Sequence, residues 1–208
     1  MGGYWRVCLR CGKGFPSDCA EVCYNCSKLE RVGVGLRERQ AARERGLARV
    51  AGFKLKIELV PSLLWYKNVR SIVSPAVWDI IRKEAYRVAD YRCQVCGSTG
   101  KMFCHEVWLY DDDRHIQKLD GFEALCELCH NAKHIGLAGI KGMTGELDYN
   151  SLIRHFKRVN GCSYEEFVLA RDVAFEVWEG RSAWEWTQDL GAKFHLVAEA
   201  GGLKTEGV

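Results

Sequence analysis

A chain of 208 residues that is 48% hydrophobic and 27% charged, with only three prolines, can form one ordinary folded domain or two to three small ones. No stretch is apolar for long enough to span a bilayer, and the opening MGGYWRVCLR lacks the charged-then-apolar order of a secretion signal and has Arg6 where a myristoylation signal needs Ser or Thr, so a cytoplasmic protein with no membrane partner is expected. The net charge of +3 is too small to announce a nucleic-acid binder, yet residues 1–50 hold ten Lys/Arg against five Asp/Glu, a basic arm on a near-neutral body that suits either phosphate contacts or plain solvation.

The first element, CLRCGKGFPSDCAEVCYNC (8–26), reads as a zinc ribbon spanning 1–30. Eight of the eleven cysteines form four C-x2-C pairs, Cys8/Cys11, Cys23/Cys26, Cys93/Cys96 and Cys126/Cys129. A tight turn of this kind brings two thiolates onto one ion, and in a reducing compartment metal is favoured over disulfides. Four pairs make two tetrathiolate sites, the first from Cys8, Cys11, Cys23 and Cys26; Cys19 competes with Cys23, which completes a pair. Cys104 and Cys162 remain unassigned by spacing.

Residues 31–52 are a basic linker whose GLRERQAARERGLARV is helical, with five arginines against two glutamates over 36–50. Arg37, Arg39 and Arg43 are candidate DNA contacts there, set against the simpler role of a solvated face. Residues 53–90 lead into the next module. FKLKIELV (53–60) alternates in part, as a strand would, and Pro61 ends it. Ser74 and Pro75 then open a helix as N-cap and first residue, with Val77, Ile80, Ile81, Ala85 and Val88 on its inner face. Arg82, Lys83 and Arg87 lie off that face as further candidate DNA contacts.

Residues 91–140 carry the chemistry. Cys93/Cys96 sit on a glycine-punctuated turn, KMFCHEVWLY is a strand with Trp108 as a core residue, and LCELCHNAKH holds a second knuckle running into a helix. Cys93, Cys96, Cys126 and Cys129 close one structural zinc site, stapling a segment too short for a large core. His130 and His134, four apart on a helix, project side by side, and His105 on the strand approaches from the opposite side. The region 141–195 supplies two more helices. One has Leu152, Ile153 and Phe156 inward and closes at Asn160-Gly161. The other is capped by Ser163 and Glu166, with Phe167, Ala170, Ala174, Val177 and Trp178 on one stripe. Trp184 and Trp186 belong to a further short helical piece, and 196–208 is a flexible tail.

The order C-x2-C, CHEVW, LCxLCHxxKH over 91–134 resembles the HNH endonucleases, or ββα-metal nucleases, of the kind with two zinc knuckles. The resemblance implies an α+β protein of small zinc-stapled modules, with a ββα-metal core, flanking helices and the amino-terminal ribbon. It implies a metal-dependent endonuclease inserting the module at the minor groove of double-stranded DNA. His105 would be the general base, and His130 and His134 would hold a catalytic divalent ion (Mg2+, Mn2+ or Zn2+), alongside two structural Zn2+. The sequence departs from the family in two places. Cys104 stands where Asp or His usually adds a ligand, and the asparagine of the motif is missing near Gly121. Cys104 as a transition-metal ligand, Glu106 as a substitute oxygen ligand, and a decayed site are the alternatives. The last would leave a non-catalytic zinc module binding nucleic acid or protein, and oligomeric state is open.

Overall fold

The computed structural model describes the backbone of residues 5–7, 14–16 and 36–191, and side chains from residue 41 to 191. Two compact units divide at Gly52/Phe53. In the first, strands β1 (Trp5–Val7) and β2 (Gly14–Pro16) pair antiparallel, with Arg6 opposite Phe15, and helix α1 spans Leu36–Ala51. The ribbon cysteines Cys8, Cys11, Cys23 and Cys26 lie outside the described residues, as do the side chains of Arg37 and Arg39 and the tail from 192. Arg43 is exposed on α1.

The second unit is α+β: a three-stranded sheet flanked by helices. In chain order it contains a 3-10 turn (Ser62–Leu64), α2 (Val69–Ile72), α3 (Pro75–Val88), β3 (Met102–Asp111), β4 (Ile116–Cys126), α4 (Glu127–Lys133), α5 (Ile135–Met143), α6 (Tyr149–Asn160), α7 (Tyr164–Ser182) and β5 (Thr187–Asp189). Strands β3 and β4 form an antiparallel hairpin, and β5 adds parallel to β4.

A bulge shapes that hairpin. Val107 pairs with Gly121, but Trp108 pairs with Leu119, so Asp120 is extra on β4 and the inside–outside alternation switches there. Leu119, rather than Asp120, thereby joins Trp108 and Phe122 against the buried Val69 and Val73, together with Val77, Trp78 and Ile81 of α3. Trp108 takes the core position that the sequence predicts. Helix α3 starts as its sequence says, with Ser74 Oγ accepting from Val77 N–H at 3.4 Å. Its inner face is narrower than predicted: Ile80 and Val88 are 68% and 67% exposed, because the short α2 and the twisted hairpin cover only Val77, Trp78, Ile81 and Ala85.

The segment 53–60 is extended but joins no sheet. Its backbone is satisfied by helix ends instead. Leu55 N–H donates to Asn160 Oδ1 at 2.9 Å, Asn160 Nδ2 donates back to Leu55 O at 3.0 Å, and Glu58 N–H donates to Lys133 O at 2.9 Å. Alternation still reports burial, since Phe53 and Leu55 are inside, but alternation alone cannot supply a neighbouring strand. Phe53 packs edge-to-face on Phe156, which does the same to Phe167, so this segment bridges α6 and α7.

Helices α6 and α7 form as predicted. Gly161 (φ 57°) closes α6 in the left-handed conformation, and Ser163 and Glu166 make a reciprocal capping box. Val177 is 45% exposed rather than part of the inner stripe. Trp184 and Trp186 are not helical; they follow α7 into β5. This end of the chain is held to the hairpin tip. Arg181 grips Asp112 through two hydrogen bonds of 2.7 and 2.8 Å, Trp184 stacks on His115, and Thr187 N–H donates to His115 O.

Candidate metal centres

Among the described residues, two groups of side chains converge as metal donors, each with ligand atoms within 4.8 Å of one another: Cys93, Cys96, Cys126 and Cys129, and His105, His130 and His134. Both lean on α4, a helix of seven residues whose N-cap is Cys126.

The cysteine group joins the turn before β3 to the β4–α4 junction. Cys96 Sγ and Cys126 Sγ are 3.6 Å apart, close to the ~3.8 Å edge of a tetrahedron with ~2.3 Å zinc–sulfur bonds. Four sulfurs this close cannot all ionise without a cation. Cys126 is pulled down by hydrogen bonds from the Cys129 and Cys93 thiols, while Cys129 is pushed up by donating to Cys126, by Cys93 and by burial. A divalent ion bound here would take the place of those protons. The donor set fits zinc with every coordination position filled, which is the structural type of site.

The histidine group sits on the other side of α4. His105 comes from the centre of β3 and is buried; its ring centre lies 4.9 Å from that of His134 and 5.7 Å from that of His130. Phe103, two residues along the same strand face, stacks on His130. Burial, and then the nearby His105, hold His130 down to about 4 and His134 to about 3. Both rings are therefore neutral near pH 7, with a lone pair available to an ion.

Around the imidazoles lies a charged network that the sequence did not point to. Glu58, from the extended segment, lies with Oε2 at 3.0 Å from His105 Nε2 and Oε1 at 2.5 Å from Lys133 Nζ. A carboxylate only accepts, so His105 Nε2–H is the donor and the neutral ring keeps its lone pair on Nδ1. Burial pushes the Glu58 carboxyl up, but the His105 hydrogen bond and the Lys133 charge outweigh it and hold the group at about 2. Glu123, directly across the ladder from His105, has Oε2 3.3 Å from Lys133 Nζ, with no hydrogen bond made to it. The formal charges of Glu58, Glu123 and Lys133 sum to −1 beside three imidazoles, an environment that favours a cation.

Cys104 and Glu106 are not in this group. Strand alternation places them on the opposite face of β3 from His105. Glu106 Oε1 accepts from Val69 N–H at 2.8 Å, and burial pushes the Cys104 thiol up to about 12. The candidate DNA contacts on α3 are engaged with acids of the same helix: Arg82 and Lys83 with Asp79, and Arg87 with Glu84. The protein-family, curated-protein and solved-structure comparisons each gave no match to this chain. Its functional reading therefore rests on the geometry of the two centres. Among the described residues no helix is long and apolar enough to cross a membrane.

Glu106 carries a prediction of its own. Burial pushes its carboxyl up to about 7, against hydrogen bonds from the Val69 and Arg70 backbone and from Trp108. A carboxyl that ionises less readily in the folded chain stabilises the fold fully below its ordinary value near 4.5 and loses that contribution as pH rises through 7. The unfolding free energy from urea titrations is expected to fall from pH 5 to pH 8 by about 2 kcal/mol more in wild type than in Glu106→Gln. Parallel pH profiles for the two proteins would refute this.

Proposed function

We propose that the chain is a metal-dependent endonuclease that hydrolyses phosphodiester bonds of double-stranded DNA. His105 is the general base, and His130 and His134 hold the catalytic ion. The observation that carries this reading is the convergence of the three imidazoles, with His105 fixed by Glu58 so that Nδ1 is its free lone pair.

From that position Nδ1 takes a proton from the attacking water, and Glu58 stabilises the imidazolium that forms. Lys133 neutralises Glu58 and fixes its orientation. His130 and His134 would hold a divalent ion, which would supply Lewis-acid polarisation of the phosphate and offset charge on the leaving oxygen. Imidazole donors suit zinc or another transition metal better than magnesium, which prefers oxygen. DNA grip falls to the amino-terminal ribbon and to Arg37, Arg39 and Arg43 of α1. Arg82, Lys83 and Arg87 contribute by exchanging their intrahelical partners for phosphates.

A second reading is a non-catalytic zinc module that binds nucleic acid or protein. One observation favours it: the histidine cluster contains no carboxylate ligand, since Cys104 and Glu106 face the other way. Metal analysis with a cleavage assay separates the two. For the nuclease, plasmid nicking by the full chain stops with EDTA and returns with added Zn2+ or Mn2+, and the returning metal is missing from His130→Ala/His134→Ala. If that double variant nicks as well as wild type, the nuclease reading fails.

A further inference from the structure

Helix α6 places one imidazole against the cysteine centre. His155, buried between Leu152 and Phe156 in the sequence of α6, lies with Nε2 3.1 Å from Cys129 Sγ and Nδ1 3.0 Å from an Arg158 guanidinium nitrogen. A guanidinium only donates, so Nδ1 is the acceptor and the proton of the neutral ring sits on Nε2. That N–H points at sulfur, and a thiolate is the stronger acceptor.

Accepting the four cysteines as a zinc site, we infer that His155 and Arg158 are its positioning residues, a donor relay from α6 that holds Cys129 as a metal-bound thiolate. Cys129 is one of the two sulfurs that need this most. It and Cys93 are buried, so water cannot solvate their charge, whereas Cys96 and Cys126 are partly exposed. Cys96 also has the Ser98 hydroxyl at 3.2 Å. A zinc ion with four thiolates carries a formal charge of −2, and the Arg158 guanidinium brings positive charge toward it through the imidazole. Metal retention is thereby tied to the docking of a helix whose His155 lies 26 residues beyond the last ligand.

The test uses the zinc-loaded full chain and its Co2+-substituted form, comparing wild type, His155→Phe, His155→Gln, Arg158→Ala and Leu152→Ala. The readouts are zinc transfer to a chromogenic chelator and the thiolate-to-cobalt charge-transfer band. His155→Phe keeps the bulk but not the donor, and is expected to weaken zinc binding about 10–100-fold and to shift the band. His155→Gln, which can still donate N–H, recovers most of the loss. Arg158→Ala, at an exposed position, weakens binding less than His155→Phe, and it decides the question if His155→Phe does not fold. Leu152→Ala loosens the α6 core without touching sulfur and leaves the band in place. The relay is overturned if His155→Phe, or Arg158→Ala in its absence, matches either wild type or Leu152→Ala in both readouts. A wild-type protein that takes up no metal at its cysteines overturns the zinc site itself.

Discussion

Alanine at position 105 is expected to slow DNA cleavage about 10²–10⁴-fold, the usual contribution of a positioned general base. The ions held elsewhere stay in place. The size of the effect follows from where the side chain stands. His105 is central in β3, its Nε2–H is committed to Glu58, and among the described residues no other imidazole shares its position between α4 and the extended segment. His130 and His134 are neutral through burial and face His105 from α4 and its C-terminal end as the proposed ion ligands. His105→Ala should therefore lower kcat with little change in DNA affinity, because the proposed DNA contacts do not include it. The variant also leaves Glu58 with Lys133 as its partner, and the Glu58 side chain is itself half-exposed, so the carboxylate is not stranded and the fold survives. Single-turnover nicking of supercoiled plasmid beside a filter-binding isotherm measures both quantities. Equal cleavage rates for variant and wild type would remove His105 from the chemistry.

The second large effect concerns the cysteine centre. Structural zinc contributes about 10–16 kcal/mol to folding in small modules, as much as the whole net stability of an ordinary domain. Stripping it is expected to disorganise residues 93–134. Helices α6 and α7, which have Leu152, Phe156 and Phe167 fully enclosed, should retain helical content. Cleavage should be lost together with the zinc although no residue of the histidine group has been altered. Cys126 is the N-cap of α4, Cys129 lies within it, and His130 is the next residue, so an ion bound by the cysteines would fix one side of this helix and thereby aim the other. Cys129→Ala should behave like the stripped protein. A strong chelator that removes the zinc but leaves the thermal transition and the nicking rate unchanged would refute this dependence.

How far the sequence could be read depended on whether a signal was local. Capping at Ser74 and Ser163, the αL glycine at 161 and the C-x2-C pairs Cys93/Cys96 and Cys126/Cys129 are decided within a few residues, and each appears where the sequence places it. The histidine spacing on α4 is equally local, and His105 meets the helix because the two knuckles fix the hairpin beside it. Glu58 was illegible, because nothing around FKLKIELV pairs it with a strand residue 47 positions on. Lys133 lies inside the motif itself, but a lysine there reads as solvent-exposed until Glu58 and Glu123 are seen around it. Nothing local marks His155, whose partner sulfur is 26 residues away in the sequence. The strand at 53–60 failed for the converse reason: its alternation was local, but its partners were the end of α6 and Lys133 of α4. Ile80, Val88 and Val177 have correct helical spacing and still face water, since periodicity gives a face but not how much of it a neighbour covers.

Strand β5 is the last described element, and it pairs with the start of β4 at residues 116–118. During synthesis that strip of backbone leaves the ribosome roughly seventy residues before its partner does. Until Thr187 is made, the hairpin carries an open edge close to its tip, while the cysteines and histidines are already available to ions. The candidate metal ligands are thus all synthesised before the sheet can close, and a chain shortened before Thr187 is expected to expose that edge to pairing with neighbouring copies.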